Sequence, residues 1–280
     1  MIYVSKPKAS ERLWIIPAAI VFFIAVGLSL FMAWTLITQG FSKWQIRGLF
    51  GGVGVSAWDV VIAPLWIIGT ILFFMEISGR TLKGFKLTKY SVKWDSVDLA
   101  TAALCAAVYG GGLAATGGLS IIPGVTWIRP ANIFGPLFGM LFGMPGAIGI
   151  AVGNLLADSL SGSFGWASIG GGFIGNFLLA YIPYKLVCDP SFKRALAWFQ
   201  YYLFGVLGGS VWCAFYISWF LAITSGSLST LPAPVAWGFL APFITMNNAI
   251  PFLFAPLLSI VLYPLVKSWG LYWKDRITYK

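Results

Sequence analysis

The sequence predicts an all-α integral membrane protein of about eight transmembrane helices, on three observations. Hydrophobic residues make up 59% of the 280 and charged residues 9%, with a mean hydropathy of +0.87. A water-soluble fold of that composition has too little polar surface to cover itself, whereas lipid supplies an apolar exterior. The apolar segments run for helical lengths without alternating every second residue, which excludes an outer-membrane barrel. Between Asp98 and Lys185 only Arg129 and Asp158 carry charge, the pattern of a membrane domain with one polar spot.

The predicted spans are 13–37, 60–77, 99–116, 133–144, 147–157, 169–187, 199–223 and 235–266. The first follows Lys6, Lys8 and Arg12 as a signal peptide would, but it is too long for one and lacks a small-residue cleavage site, so it is expected to remain as a helix. The fourth and fifth are too short to cross a ~30 Å core alone at 1.5 Å per residue. They form either one kinked helix or two tilted ones joined at Met144-Pro145-Gly146. Charge decides between these. With two helices, one face receives Lys6, Lys8, Arg12, Arg80, Lys83, Lys86, Lys89, Lys93, Lys185, Lys193, Arg194, Lys267, Lys274, Arg276 and Lys280, leaving Lys43, Arg47 and Arg129 opposite. With one helix the cations divide almost evenly. The tendency of basic residues to stay cytoplasmic favours two helices, with both termini cytoplasmic.

The polar, basic stretch 79–95 reads as a cytoplasmic linker between a two-helix hairpin, 1–78, and a six-helix unit, 96–280. The net charge of +10 is spread over these short segments, with no basic run of the kind that binds nucleic acid. Cys105, Cys188 and Cys213 are scattered, which suits small apolar residues better than a disulfide framework or a metal knuckle.

The expected polar residues gather toward one side. The outward loop 117–131 carries Trp127 and Arg129, with Asn132 at its end, and the helix from Ala147 brings Asn154 and Asp158, four apart on one face, to the same side. Asn176 and the pair Asn247–Asn248 bring carboxamides to middle depth, where each needs a partner; an amide both donates and accepts, so it either reads an uncharged heterocycle or ties helices together. Trp212, Tyr216 and Trp219 form an aromatic stripe suited to stacking on a flat ligand or to the membrane interface. Ala102/Ala106 and Ala103/Ala107 are small-xxx-small pairs that let another helix approach, from this chain or another. With no His, eight carboxylates and no phosphate-binding loop, neither a catalytic nor a metal site is expected, and the chain is not expected to hydrolyse ATP by itself.

The run PGVTWIRPANIFGPLFGMLFGMPGAIGIAVGNLLADSLSG, 123–162, resembles the substrate-binding S component of energy-coupling factor (ECF) transporters. The likeness lies in the order: a small-residue helix, an outward loop, Ile-Arg-Pro-Ala-Asn, a Gly/Pro-rich helix with Phe-Gly, then Gly-Asn-Leu-Leu-Ala-Asp. It extends over about 97–280. The resemblance implies a six-helix bundle that captures a small water-soluble micronutrient, a vitamin or precursor, in an outward pocket roofed by the loop 117–131. It also implies docking through Ala102, Ala103, Ala106 and Ala107 on a transmembrane T component, with ATP used by two cytoplasmic ATPase subunits. No cofactor is expected on this chain, and the expected location is a prokaryotic cell membrane. The hairpin 1–78 is extra to the six-helix pattern. A self-sufficient secondary transporter or channel, and a structural membrane subunit without ligand, remain as alternatives.

Overall fold

The computed structural model describes residues 12–39, 57–83, 86–116, 120–122, 126–127, 129–162, 164–166, 168–213, 216–217 and 250–279. The helices are α1 (Ile15–Gln39), α2 (Ala57–Ile77), α3 (Ser96–Ala115), α4 (Phe134–Phe142), α5 (Met144–Leu160), α6 (Phe173–Leu186), α7 (Ala195–Gln200) and α8 (Ala255–Ser268). A 3-10 turn, Pro130–Ile133, leads into α4, and wide π-helical turns, Ser168–Gly172 and Tyr201–Gly209, precede α6 and extend α7. Among the described residues one helix, Ser96–Ala115, is by itself long and apolar enough to cross a membrane, with shorter apolar helices beside it. The outer surface is apolar: Leu13, Phe23, Phe74, Leu104, Leu160 and Val261 all lie largely open.

The chain reverses between α4 and α5. Gly143 adopts φ +64°, a left-handed conformation that glycine takes without steric cost. A Cβ placed on Gly146 would overlap the carbonyl of Phe138, eight residues earlier, which only a fold-back permits. The reversal therefore falls at Gly143, one residue before the expected junction, and Met144-Pro145-Gly146 forms the first turn of α5.

Glycine sets how closely the helices approach. Gly149 and Gly153 of α5 face Ala102, Cys105, Ala106 and Gly110 of α3, so closely that a Cβ on Gly110 would lie 2.6 Å from the Gly153 carbonyl oxygen. This is small-xxx-small packing within one chain. It divides the four alanines: Ala106 is buried and Ala102 half-buried against α5, while Ala103 and Ala107 point outward.

The N-terminal pair packs on the rest of the bundle. Trp14 and Phe22 meet Phe199 and Tyr202 with ring centroids 4.9 Å apart. Trp212 donates its indole N–H to the Leu65 carbonyl at 2.9 Å, and Tyr216 shares a 2.7 Å hydrogen bond with Thr70. At the end of α2, Glu76 is 2% exposed. Its carboxylate accepts from Thr81 at 2.6 Å, Tyr90 at 2.6 Å and Tyr181 at 2.9 Å, and pairs with Lys185 at 3.1 Å. A buried charge persists only with such partners, and these come from three elements.

The segment expected as a linker is built structure. Strands β1 (Arg80–Lys83) and β2 (Lys86–Val92) form an antiparallel hairpin, and β5 (Ile277–Tyr279) near the C-terminus adds to β2. A second hairpin, β3 (Ser120–Ile122) with β4 (Thr126–Trp127), lies after α3. The described residues are thus mainly helical with two small antiparallel sheets. Thr81 and Tyr90 are buried beside Glu76 while Leu82, Leu87 and Lys89 face outward, the alternation of a strand with one covered face.

Asp95 starts α3 by accepting from the N–H groups of Val97 and Asp98, both at 3.0 Å, the role of an N-cap. Arg276 closes the sheet onto this corner, bonding Asp98 at 2.6 Å and Asp95 at 2.5 Å. The Asp98 N–H bond, with help from Arg276, holds the Asp95 carboxyl below its ordinary range. A carboxylate depressed in the folded state stabilises above its unfolded pKa, and the contribution disappears as pH falls through the folded value. Acidification below the ordinary carboxylate range is therefore expected to loosen the C-terminal strand. Spin labels at Ser91 and Thr278, which face each other across the sheet, should separate on acidification; a constant distance would refute this.

Candidate functional site

The sheet β1–β2–β5, the Gly143 turn and the C-terminal ends of α6 and α8 share one end of the bundle. The intramembrane polar residues collect toward the other. Tyr109, in the last third of α3, is fully buried, and its hydroxyl lies 2.9 Å from Asn132 Oδ1 and 2.7 Å from Asn176 Oδ1. One phenolic proton is thus shared between two carboxamide oxygens. Asn132 occupies the 3-10 turn before α4 and Asn176 the first turn of α6. The tyrosine binds three helices at one point.

The π turn before α6 explains how Asn176 is held. Its Gly170-Gly171-Gly172 run brings no side chains, and the Gly172 carbonyl accepts the Asn176 amide at 2.8 Å. Wide turns of this kind recur at functional sites because they free backbone groups and re-aim side chains.

A second polar group adjoins the first. Asn154 donates to Asp158 at 3.0 Å, one turn further along α5. The Asp158 carboxylate also takes a side-chain hydrogen bond from Ser168 and feels the charge of Arg129. Tyr109 in turn feels both Arg129 and Asp158, so the two groups form one electrostatic unit. Asn132, Asn154 and Asn176 are each no more than 6% exposed, whereas Arg129 and Asp158 are half-buried. The arrangement places three amides in the interior and one charge of each sign nearer the surface. It has no nucleophile–base pair, and among the described residues no three His, Cys, Asp or Glu side chains gather to hold a metal.

The structure therefore brings together Arg129, Asn132, Asn154, Asp158 and Asn176. It directs the polar atoms of Trp212 and Tyr216 elsewhere: Tyr216 stacks on Trp66, centroids 5.9 Å apart, and both residues bond to α2. An indole N–H or phenol in an apolar interior must find an acceptor, and α2 provides it. Trp127 lies on β4 opposite Ser120. Trp219, Asn247 and Asn248 lie outside the described residues. Tyr109 and Ser168 were not anticipated; the signal for Tyr109 was one phenol inside the run Ala106-Ala107-Val108-Tyr109-Gly110, and Ser168 had none.

Comparison with known proteins matches residues 99–264 to the family model described as QueT transporter. No curated protein and no solved structure matches the chain. The matched segment contains every residue of the polar unit and leaves out α1, α2 and the first sheet hairpin.

Proposed function

Since the chain belongs to the QueT transporter family, we propose that it is the substrate-capture S component of an ECF-type importer and that its substrate is a queuosine precursor. The observation that carries this reading is the Tyr109–Asn132–Asn176 cluster beside Asn154–Asp158. Buried carboxamides that donate and accept along one edge suit an uncharged heterocycle, while Arg129 and Asp158 suit a polar substituent. The loop carrying β3 and β4 lies between α3 and Asn132, where a roof over the ligand belongs. In this reading eight helices cross a prokaryotic cell membrane with both termini cytoplasmic. Ala103 and Ala107, which face outward, lead the docking on a T component, and two cytoplasmic ATPase subunits use the ATP.

Calorimetry on the detergent-solubilised full chain with a queuosine-precursor base tests this. Binding is expected, and Asn176→Leu and Asp158→Ala should each weaken it by about tenfold or more, since removing one partner of a buried polar contact costs about 1–3 kcal/mol. No binding by the parent chain, or unchanged binding by both variants, would refute the site. Liposomes holding this chain alone should accumulate no substrate; accumulation would instead support a self-sufficient transporter.

A further inference from the structure

The outer face of the β1–β2 hairpin is chemically one-sided. Register pairs Arg80 with Lys89 and Leu82 with Leu87, and paired residues share a face. Leu82 and Leu87 are 50% and 56% exposed, and Arg80 and Lys89 are exposed beside them on that face, with Lys93 exposed just past the end of β2; Lys86, also exposed, pairs with Lys83 on the opposite face at the turn end of the hairpin. No acidic residue occurs from Arg80 to Trp94. Of the carboxylates nearby, Glu76 is buried on the covered face and paired with Lys185, and Asp95 and Asp98 are taken by Arg276. Among the described residues none of Arg80, Lys86, Lys89 or Lys93 forms an ion pair.

Connectivity keeps this face at the membrane boundary. Only Ser78 and Gly79 separate α2 from β1, and only residues 93–95 separate β2 from α3. A four-residue strand reaches about 13 Å, so the hairpin cannot leave the neighbourhood of a headgroup layer roughly 5–8 Å deep. A soluble protein's acidic surface would match the cations but not an exposed leucine pair at the height of the headgroups. A membrane surface matches both: apolar side chains at the headgroup–acyl boundary, cations on lipid phosphates.

We propose that the β1–β2 hairpin is an anionic-phospholipid binding element, with Leu82 and Leu87 dipping into the interface and Arg80 and Lys89, on the same face, on the headgroups. It fixes the basic end of the bundle to the surface of an anionic leaflet.

The test is amide hydrogen exchange of the full chain in nanodiscs of phosphatidylcholine with and without phosphatidylglycerol. Residues 80–92 are expected to exchange about tenfold slower when phosphatidylglycerol is present, because each cation near an anionic surface changes binding roughly fivefold. High salt should erase the difference, and so should R80E/K89E, while unchanged protection of α3 to α6 shows that variant to be folded. Equal exchange in the two nanodiscs would overturn the proposal. So would protection that appears only when purified partner subunits are added, which would assign the face to a protein.

Discussion

Glu76→Ala is expected to cost about 3–5 kcal/mol of stability, the usual price of leaving one member of a buried ion pair without the other. The loss is this large because the carboxylate has no water to fall back on. Its side chain is 0% exposed and Lys185 18%, so removing the acid leaves an ammonium in an apolar pocket and strips the acceptor from Thr81, Tyr90 and Tyr181. The ammonium also lies 4.4 Å from the Tyr184 ring centroid, a cation–π contact too weak to replace the carboxylate. Glu76→Met combined with Lys185→Met should recover a large part of the loss, because apolar residues of similar volume replace a buried pair at little cost. Thermal unfolding of the three proteins in detergent measures this. If Glu76→Ala melts with the parent, or the double variant is no better than the single, the anchoring role fails. The consequence reaches beyond stability: Glu76 lies outside the family-matched region 99–264 and Lys185 inside it, so this pair joins the extra N-terminal hairpin to the family unit.

Gly139→Ala is expected to be nearly as disruptive, although it adds one methyl group. A Cβ there would overlap the Ala180 carbonyl oxygen and approach its carbonyl carbon and Cα at 2.7 and 2.9 Å. Every obstructing atom is backbone, so no rotamer change relieves the clash and α4 must move away from α6; overpacking of this kind costs about 1–3 kcal/mol or more. The displacement should also be felt at the polar unit, because Asn132 precedes α4 and Asn176 lies on α6, with Tyr109 bridging them. Substrate affinity is therefore expected to fall together with melting temperature. Gly111→Ala is the control, since a Cβ there meets nothing within 4 Å. Equal melting temperatures for the two variants would contradict the packing described.

Much of the bundle was legible in the chain. Among the described residues apolar length located several helices to within a few residues, as with 60–77 against Ala57–Ile77 and 99–116 against Ser96–Ala115, while parts of 199–223 and 235–266 lie outside the described residues; a segment surrounded by lipid must satisfy its own backbone and only a helix does so locally. The spacing of Asn154 and Asp158 announced their contact for the same reason. The hairpin at 80–92 escaped because its charge suggested an open linker, although Thr81, Thr88, Tyr90 and Val92 alternate with outward residues as a half-covered strand requires. Trp212 and Tyr216 show the complementary difficulty. Their spacing placed them on one helix face, but not which neighbour that face meets.

By itself, then, the sequence determined the solvent this protein lives in, the places where several helices run, a reversal within a residue of Met144-Pro145-Gly146 and the few polar residues that must find partners inside. Those follow from local rules: hydropathy, helical period and the cost of an unpaired charge in an apolar medium. Only the tertiary structure decided the pairings. It gave Glu76 to Lys185, Tyr109 to two asparagines, Ala102 and Ala106 to internal glycines, and the aromatic stripe to α2, because partners distant in sequence are chosen by which helices can approach closely and which polar atoms they must satisfy once they have.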